Sequence, residues 1–216
     1  MSLRVVLYAE GGNETTGEAG LPPAPGTSLL EGNLGSGHVL VRRCLELTRN
    51  LPAPAVRFEA PLRDRRGNVA RGTALLHRET LRQLLTWPLA HMRPDLAVVL
   101  VDGDEDLSRK ARLEELVSDI AVSRVIAVAV QEFEAWLIAD HAAVRKALGA
   151  ALPAPADPER MARREAKGLL ASWMGDRTES SKRGIRMTLA SLCDLEVVRR
   201  RCAAFDEFLR ALASRG

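Results

Sequence analysis

The chain has 216 residues, 46% of them apolar and 27% charged, with a formal net charge of +3. That length buries one sizeable core with room for a small appended subdomain, and the composition is that of a soluble globular chain. No apolar run reaches the roughly 20 residues that span a bilayer, "MSLRVVLYAEGG" lacks the features of a secretion signal, and Cys44, Cys193 and Cys202 form no CxxC pair, so a membrane partner, export and a zinc or disulfide framework are not expected.

"LRVVLYA" is apolar and β-branched and predicts a buried first strand over 3–9, with Glu10 at its carboxyl end. The following "TTGEAGLPPAPGTSLLEGNLGSG" is rich in Gly, Pro and Ser and reads as a long mobile loop. Its "GNLGSG" lacks the Gly-Lys-Ser/Thr ending of a phosphate-binding P-loop. "HVLVRRCLELTRN" has helical spacing, "AVRFEAPL" predicts a second strand, and "RDRRGNVAR" reads as an exposed basic loop. "GTALLHRETLRQLLTWPLAHM" predicts an amphipathic helix disturbed near Pro88.

"DLAVVLVDGDED" predicts a third strand that exits into acid. Ser108 is the expected N-cap of the helix in "SRKARLEELVSDIA". "SRVIAVAVQ" predicts a fourth strand, and "EFEAWLIAD" and "HAAVRKALGAAL" are helical. Beyond the Pro-rich "LPAPADPER" only helices are expected, in "ERMARREAKGLLASWMG", "SKRGIRMTLASLC" and "LEVVRRRCAAFDEFLRALAS". This order predicts an α/β domain over residues 1–152, a mostly parallel sheet flanked by helices, and a C-terminal helical extension over 153–216.

An open parallel sheet carries its functional groups at the carboxyl ends of its strands. Glu10, Asp102, Asp104, Glu132 and Glu134 all fall there. Carboxylates crowded into one crevice repel one another unless water or a cation offsets them. Hard oxygen ligands of this kind suit Mg²⁺ or Mn²⁺, as one ion or two. Asp102 and Asp104 are expected to share an ion, with Gly103 permitting the tight backbone. In a regular helix Glu132 and Glu134 diverge by about 200°, so both face the site only if the first turn is irregular. Eight Lys/Arg against three Asp/Glu lie between Arg160 and Arg186. Arg163, Arg164, Lys182 and Arg183 from this stretch are candidate contacts to nucleic acid. Trp136, Trp173 and Phe205 are expected in the core, and the four histidines show no ligand spacing.

"YAEGG", the DxD at 102–104, "QEFEAWLIAD", "EAKGLLASWM" and "CDLEVVRRRCAAFDEFLRAL" together resemble the Toprim-like proteins of domain of unknown function 4276. That family is similar to the Toprim domains of topoisomerases, primases and OLD-type nucleases. The resemblance implies Glu10 as acid/base or metal ligand, and Asp102, Asp104, Glu132 and Glu134 as Mg²⁺ ligands. It implies Lys167 as a catalytic residue that steadies a phosphate. It also implies an ABC-type ATPase as partner.

The expectation is a cytoplasmic, metal-dependent nuclease or related phosphoryl-transfer enzyme, with DNA ahead of RNA as partner, in phage defence or DNA repair. The alternatives are a non-catalytic module docked on the ATPase and an enzyme acting on small nucleotides.

Overall fold

The computed structural model describes residues 2–17, 24–63, 69–91, 94–149 and 152–214. Among these, four strands form one all-parallel sheet in the order β2-β1-β3-β4. They are β1 (Leu3–Ala9), β2 (Val56–Glu59), β3 (Leu96–Asp102) and β4 (Arg124–Ala129). Val5 pairs with Phe58 on one side and Leu96 on the other, and Asp102 pairs with Ala129.

Each central strand is apolar on both faces because both faces are covered. Val5, Leu7 and Ala9 of β1 and Leu96, Val98 and Leu100 of β3 enter one core. Val6, Tyr8, Ala97, Val99 and Val101 enter the other. From β1 the chain moves outward to β2 through α2 (Ser36–Arg49), whose Leu40, Val41, Cys44 and Leu45 pack in the first core. It then crosses back to β3 and on to β4 through α3 (Arg78–His91) and α4 (Arg109–Leu116), whose Leu81, Leu84, Leu85 and Leu113 pack in the second. Reversal of direction puts these crossovers on opposite faces, as right-handed connections require. The strand order therefore reverses between β1 and β3, and a crevice opens at their carboxyl ends.

The remaining helices extend the first core. They are α5 (Phe133–Ile138), α6 (His141–Leu148), α7 (Glu165–Met174), α8 (Glu179–Leu192), α9 (Leu195–Arg201) and α10 (Ala203–Ser214). Fully buried Trp136 meets Phe205 edge-on at 5.2 Å and stacks on Phe208 at 5.8 Å, and its indole N–H donates to Glu159 at 3.1 Å. The C-terminal helices thus share one apolar cluster with the sheet. No helix among the described residues is long and apolar enough to cross a membrane.

Several elements differ from the sequence reading. "GNLGSG" is packed rather than mobile: Leu34, Gly35, Ser36 and Gly37 are buried, and α2 begins at Ser36. A Cβ on Gly35 would lie 2.6 Å from the carbonyl oxygens of Asn13 and Glu14, so glycine is what admits this approach. Other parts of that insert, and much of the basic loop after Arg63, lie outside the described residues. Helix α3 runs through Pro88 to His91. Ser108 does not cap α4; its hydroxyl and amide bond to Asp106 instead. The last predicted helix is two, broken at Cys202, whose backbone is extended. Arg201 just before the break donates to the carbonyls of Ala139, Pro155 and Ala156 and so ties α9 to the chain after α5 and to the Pro-rich segment.

Candidate active site at the strand ends

Strand β1 ends at Ala9, and the Glu10 N–H continues the ladder to the Leu100 carbonyl at 2.9 Å. The Glu10 carboxylate then reaches to the neighbouring strand, where Oε2 accepts from the Asp102 N–H at 3.0 Å. Asp102 closes β3 and turns its own Oδ1 to the Phe133 N–H at 2.9 Å. That amide begins α5 and has no partner within the helix, so an aspartate 31 residues earlier, at the end of the neighbouring strand, serves as its cap. Glu10, Asp102 and the start of α5 are one hydrogen-bonded chain across the crevice.

Glu132 stands just before α5 with an extended backbone, φ −145° and ψ 148°. The 200° divergence expected of helical i and i+2 positions therefore does not apply to Glu132 and Glu134. Both are buried, and both face Lys167. Glu132 Oε2 accepts from the Lys167 backbone N–H at 2.9 Å, in the first turn of α7. Lys167 itself is exposed. Its ammonium is held above its ordinary pKa by Glu134 first, with Asp102, Glu14 and Glu132 adding to the effect.

The sequence reading did not include Glu14 among the site residues. It lies in α1 (Gly12–Thr15), a short helical turn that leans back over the end of β1. Its carboxyl group folds over Gly11; a Cβ there would sit 2.1 Å from Glu14 Oε2. Glu14 is 5% exposed, and Oε2 has no hydrogen-bond partner. Burial, with Glu134 and Asp102 nearby, pushes its pKa up to about 8. Burial likewise pushes Asp102 up to about 7; the Phe133 N–H opposes the shift, and Glu134 and Glu10 reinforce it. Glu132 is raised in the same direction, chiefly by burial. The "EGGNE" spacing was a visible signal for Glu14, masked by the glycine-rich stretch that follows it.

Asp104 is placed differently. It and Glu105 have left-handed backbones, φ 45° and 67°. One Asp104 oxygen accepts from Arg163 at 3.0 Å and the other from Arg109 at 3.3 Å. As placed, Asp104 turns toward these arginines rather than sharing the crevice with Asp102. Asp106 pairs with Arg112 at 2.8 Å, and Glu105 is exposed. Of the four acids at the end of β3, Asp102 bonds within the crevice, while Asp104 pairs with arginines and still acts on Glu132. Gly103 does hold a tight turn, since a Cβ would meet the Val130 carbonyl at 2.1 Å.

Among the candidate nucleic-acid contacts, Arg163 is engaged by Asp104 and Lys182 by Glu179 at 3.2 Å. Arg164 is exposed at the start of α7, with φ 65°. Arg183 keeps a buried Nε without a partner. A buried arginine not singled out from sequence, Arg186 on α8, approaches Glu134 Oε1 at 3.8 Å.

Four carboxylates, Glu14, Asp102, Glu132 and Glu134, thus act on the Lys167 ammonium, and Glu10 joins them through Asp102. The donors are oxygens only, and one buried oxygen, on Glu14, is orphaned; both suit a hard divalent cation. Among the described residues, however, no three His, Cys, Asp or Glu side chains stand close enough to hold an ion as they are placed.

The profile of one family, described as Domain of unknown function (DUF4276), matches residues 41–213. The chain belongs to this family. The matched stretch carries Asp102, Glu132, Glu134 and Lys167, while Glu10 and Glu14 precede it. No curated protein and no solved structure matches the chain.

Proposed function

We propose that this protein is a Toprim-like, Mg²⁺- or Mn²⁺-dependent nuclease, or a closely related phosphoryl-transfer enzyme acting on nucleic acid. The observation that carries the reading is the convergence of Glu14, Asp102, Glu132 and Glu134 on Lys167, with Glu10 bonded to Asp102, at the point where the strand order reverses. A phosphodiester brings negative charge to such a centre, and its hydrolysis needs a proton acceptor and electrostatic relief.

The chain's own residues supply most of this. The Lys167 ammonium contacts a phosphate oxygen at the crevice mouth. Asp102 and Glu14 hold or take protons close to neutral pH, the range in which a general base or acid works best. Glu10 and Glu132 fix the geometry through the Asp102 and Lys167 amides. A divalent cation would be held by Glu14, Asp102 and Glu134 once they close in from the positions they occupy here, and it would supply charge neutralisation and an activated water.

The test is cleavage of plasmid DNA, single-stranded DNA and RNA with Mn²⁺, alongside calorimetry of Mn²⁺ binding. Cleavage by the wild type that is lost in Asp102→Asn supports the reading. Absence of both Mn²⁺ binding and cleavage on every substrate refutes it. A second reading is a non-catalytic module that docks on an ABC-type ATPase. It is favoured by the pairing of Asp104 with Arg109 and Arg163, which neutralises the acidic loop internally. Co-purification with such an ATPase, with no cleavage in any condition, would select it.

A further inference from the structure

Two arginines on α8 carry donors that the fold leaves unused. Arg186 is 6% exposed, and neither its Nε nor its Nη1 has a hydrogen-bond partner. The nearest acid is Glu134, whose Oε1 lies 3.8 Å from Nε, beyond hydrogen-bonding range. Three residues earlier, on the same side of the helix, Arg183 also has a buried Nε with no partner. A buried guanidinium with unmade N–H bonds is costly, and a fold keeps it where something else completes it.

The surroundings say what that is. Glu134 approaches Arg186 and also acts on the Lys167 ammonium, so two cations from different helices share one carboxylate. A carboxylate alone leaves the guanidinium fork incomplete. The planar fork of arginine matches the spacing of phosphate oxygens and binds them in pairs. We infer that Arg186 and Arg183 form a phosphate-binding subsite on α8, which receives non-bridging oxygens of a phosphate seated beside Glu134. The identity of the ligand rests on the phosphoryl-transfer reading; the unmet donors do not. In that arrangement Lys167 and Arg186 grip one phosphate from two sides, and Arg183 receives an oxygen of the same group or of its neighbour along a strand.

The probe is inorganic phosphate added to the metal-free full-length chain, followed by ³¹P line broadening. The wild type should bind, Arg186→Gln should lose the broadening, and Arg183→Gln should weaken it. Arg186→Lys keeps the charge and loses the fork, so it should bind more weakly than the wild type. Arg210→Gln, on the exposed face of α10, should bind as the wild type does. No binding by the wild type overturns the inference. So does wild-type binding by folded Arg186→Gln; if that variant fails to fold, wild-type binding by both Arg186→Lys and Arg183→Gln overturns it. Cleavage with Mn²⁺ is run in parallel. Cleavage by the wild type with no arginine dependence of phosphate binding removes the subsite alone. Arginine-dependent phosphate binding with no cleavage removes the nuclease reading and leaves the subsite.

Discussion

The Glu132 carboxylate accepts the backbone N–H of Lys167 at 2.9 Å, which ties the entrance of α5 to the first turn of α7 across 35 residues of chain. This bond sets where the Lys167 side chain emerges. Replacing Glu132 with Ala should expose the Lys167 amide to rapid hydrogen exchange and destabilise the fold by about 1–3 kcal/mol, the range for a hydrogen bond to a charged group. Glu132→Gln keeps an acceptor and should retain most of the protection. Equal exchange at Lys167 in all three proteins would contradict the assignment.

Asp102 and Asp104 should separate on substitution. Asp102→Asn should lower Mn²⁺-dependent cleavage by on the order of 100-fold or more, the scale of a lost acid–base group. Asp104→Asn should cost far less activity and act mainly by loosening Arg109 and Arg163. Its signature is a lower melting temperature that high salt partly masks, because Arg163 of the pairs it breaks is exposed to solvent. Equal loss of activity in the two variants would mean that Asp104 swings into the crevice during turnover.

Glu14 makes stability depend on pH in a set direction. Its carboxyl is raised by burial from an ordinary 4.5 to about 8, so the folded chain holds a proton that the unfolded chain releases. Stability from this group is therefore greatest below about pH 4.5 and declines as pH rises toward 8. Asp102, raised to about 7, acts in the same sense. Glu14→Gln should flatten part of the decline and raise the melting temperature at pH 8 more than at pH 5. Gly11→Ala should act through the same carboxyl by forcing it off the position that a Cβ would contest. Thermal melts from pH 5 to 9 check both; parallel curves for the wild type and Glu14→Gln would contradict the shift.

Trp136 should be the most costly single truncation in the C-terminal half. It joins Phe133, Phe205 and Phe208 and bonds to Glu159. Trp136→Ala should cost about 3–5 kcal/mol, and it leaves the buried Glu159 carboxylate with one donor fewer. Denaturant titration of the variant reads this directly. A loss under about 1 kcal/mol would mean that the cavity collapses far more easily than a packed aromatic cluster allows.

The sheet was legible because β1 and β3 carry apolar runs that stop at acid and β4 carries one that stops at Gln131. The parallel arrangement then placed Glu10, Asp102, Glu132 and Glu134 together. What was not legible is tertiary in origin. Helical spacing left open whether Glu132 and Glu134 face the same side; the answer lies in the start of α5, where Glu132 is extended and Asp102 bonds to the first amide. Asp104 looked equivalent to Asp102, since a sequence does not display the left-handed turn that delivers it to Arg163, 59 residues away. Glu14 hid inside a stretch whose glycines read as slack but in fact allow close backbone approach. Arg186 carried no local signal at all: its meaning comes from Glu134 on another helix.

The crevice draws its parts from residue 10 to residue 186, and the lysine at its centre arrives on α7, long after the strands that it faces. A chain still emerging from the ribosome has its acids in place but lacks the cations that belong beside them. Order of synthesis thus makes the cations the last parts to arrive: every acid of the crevice is in the chain by Glu134, and Lys167 and Arg186 follow on α7 and α8.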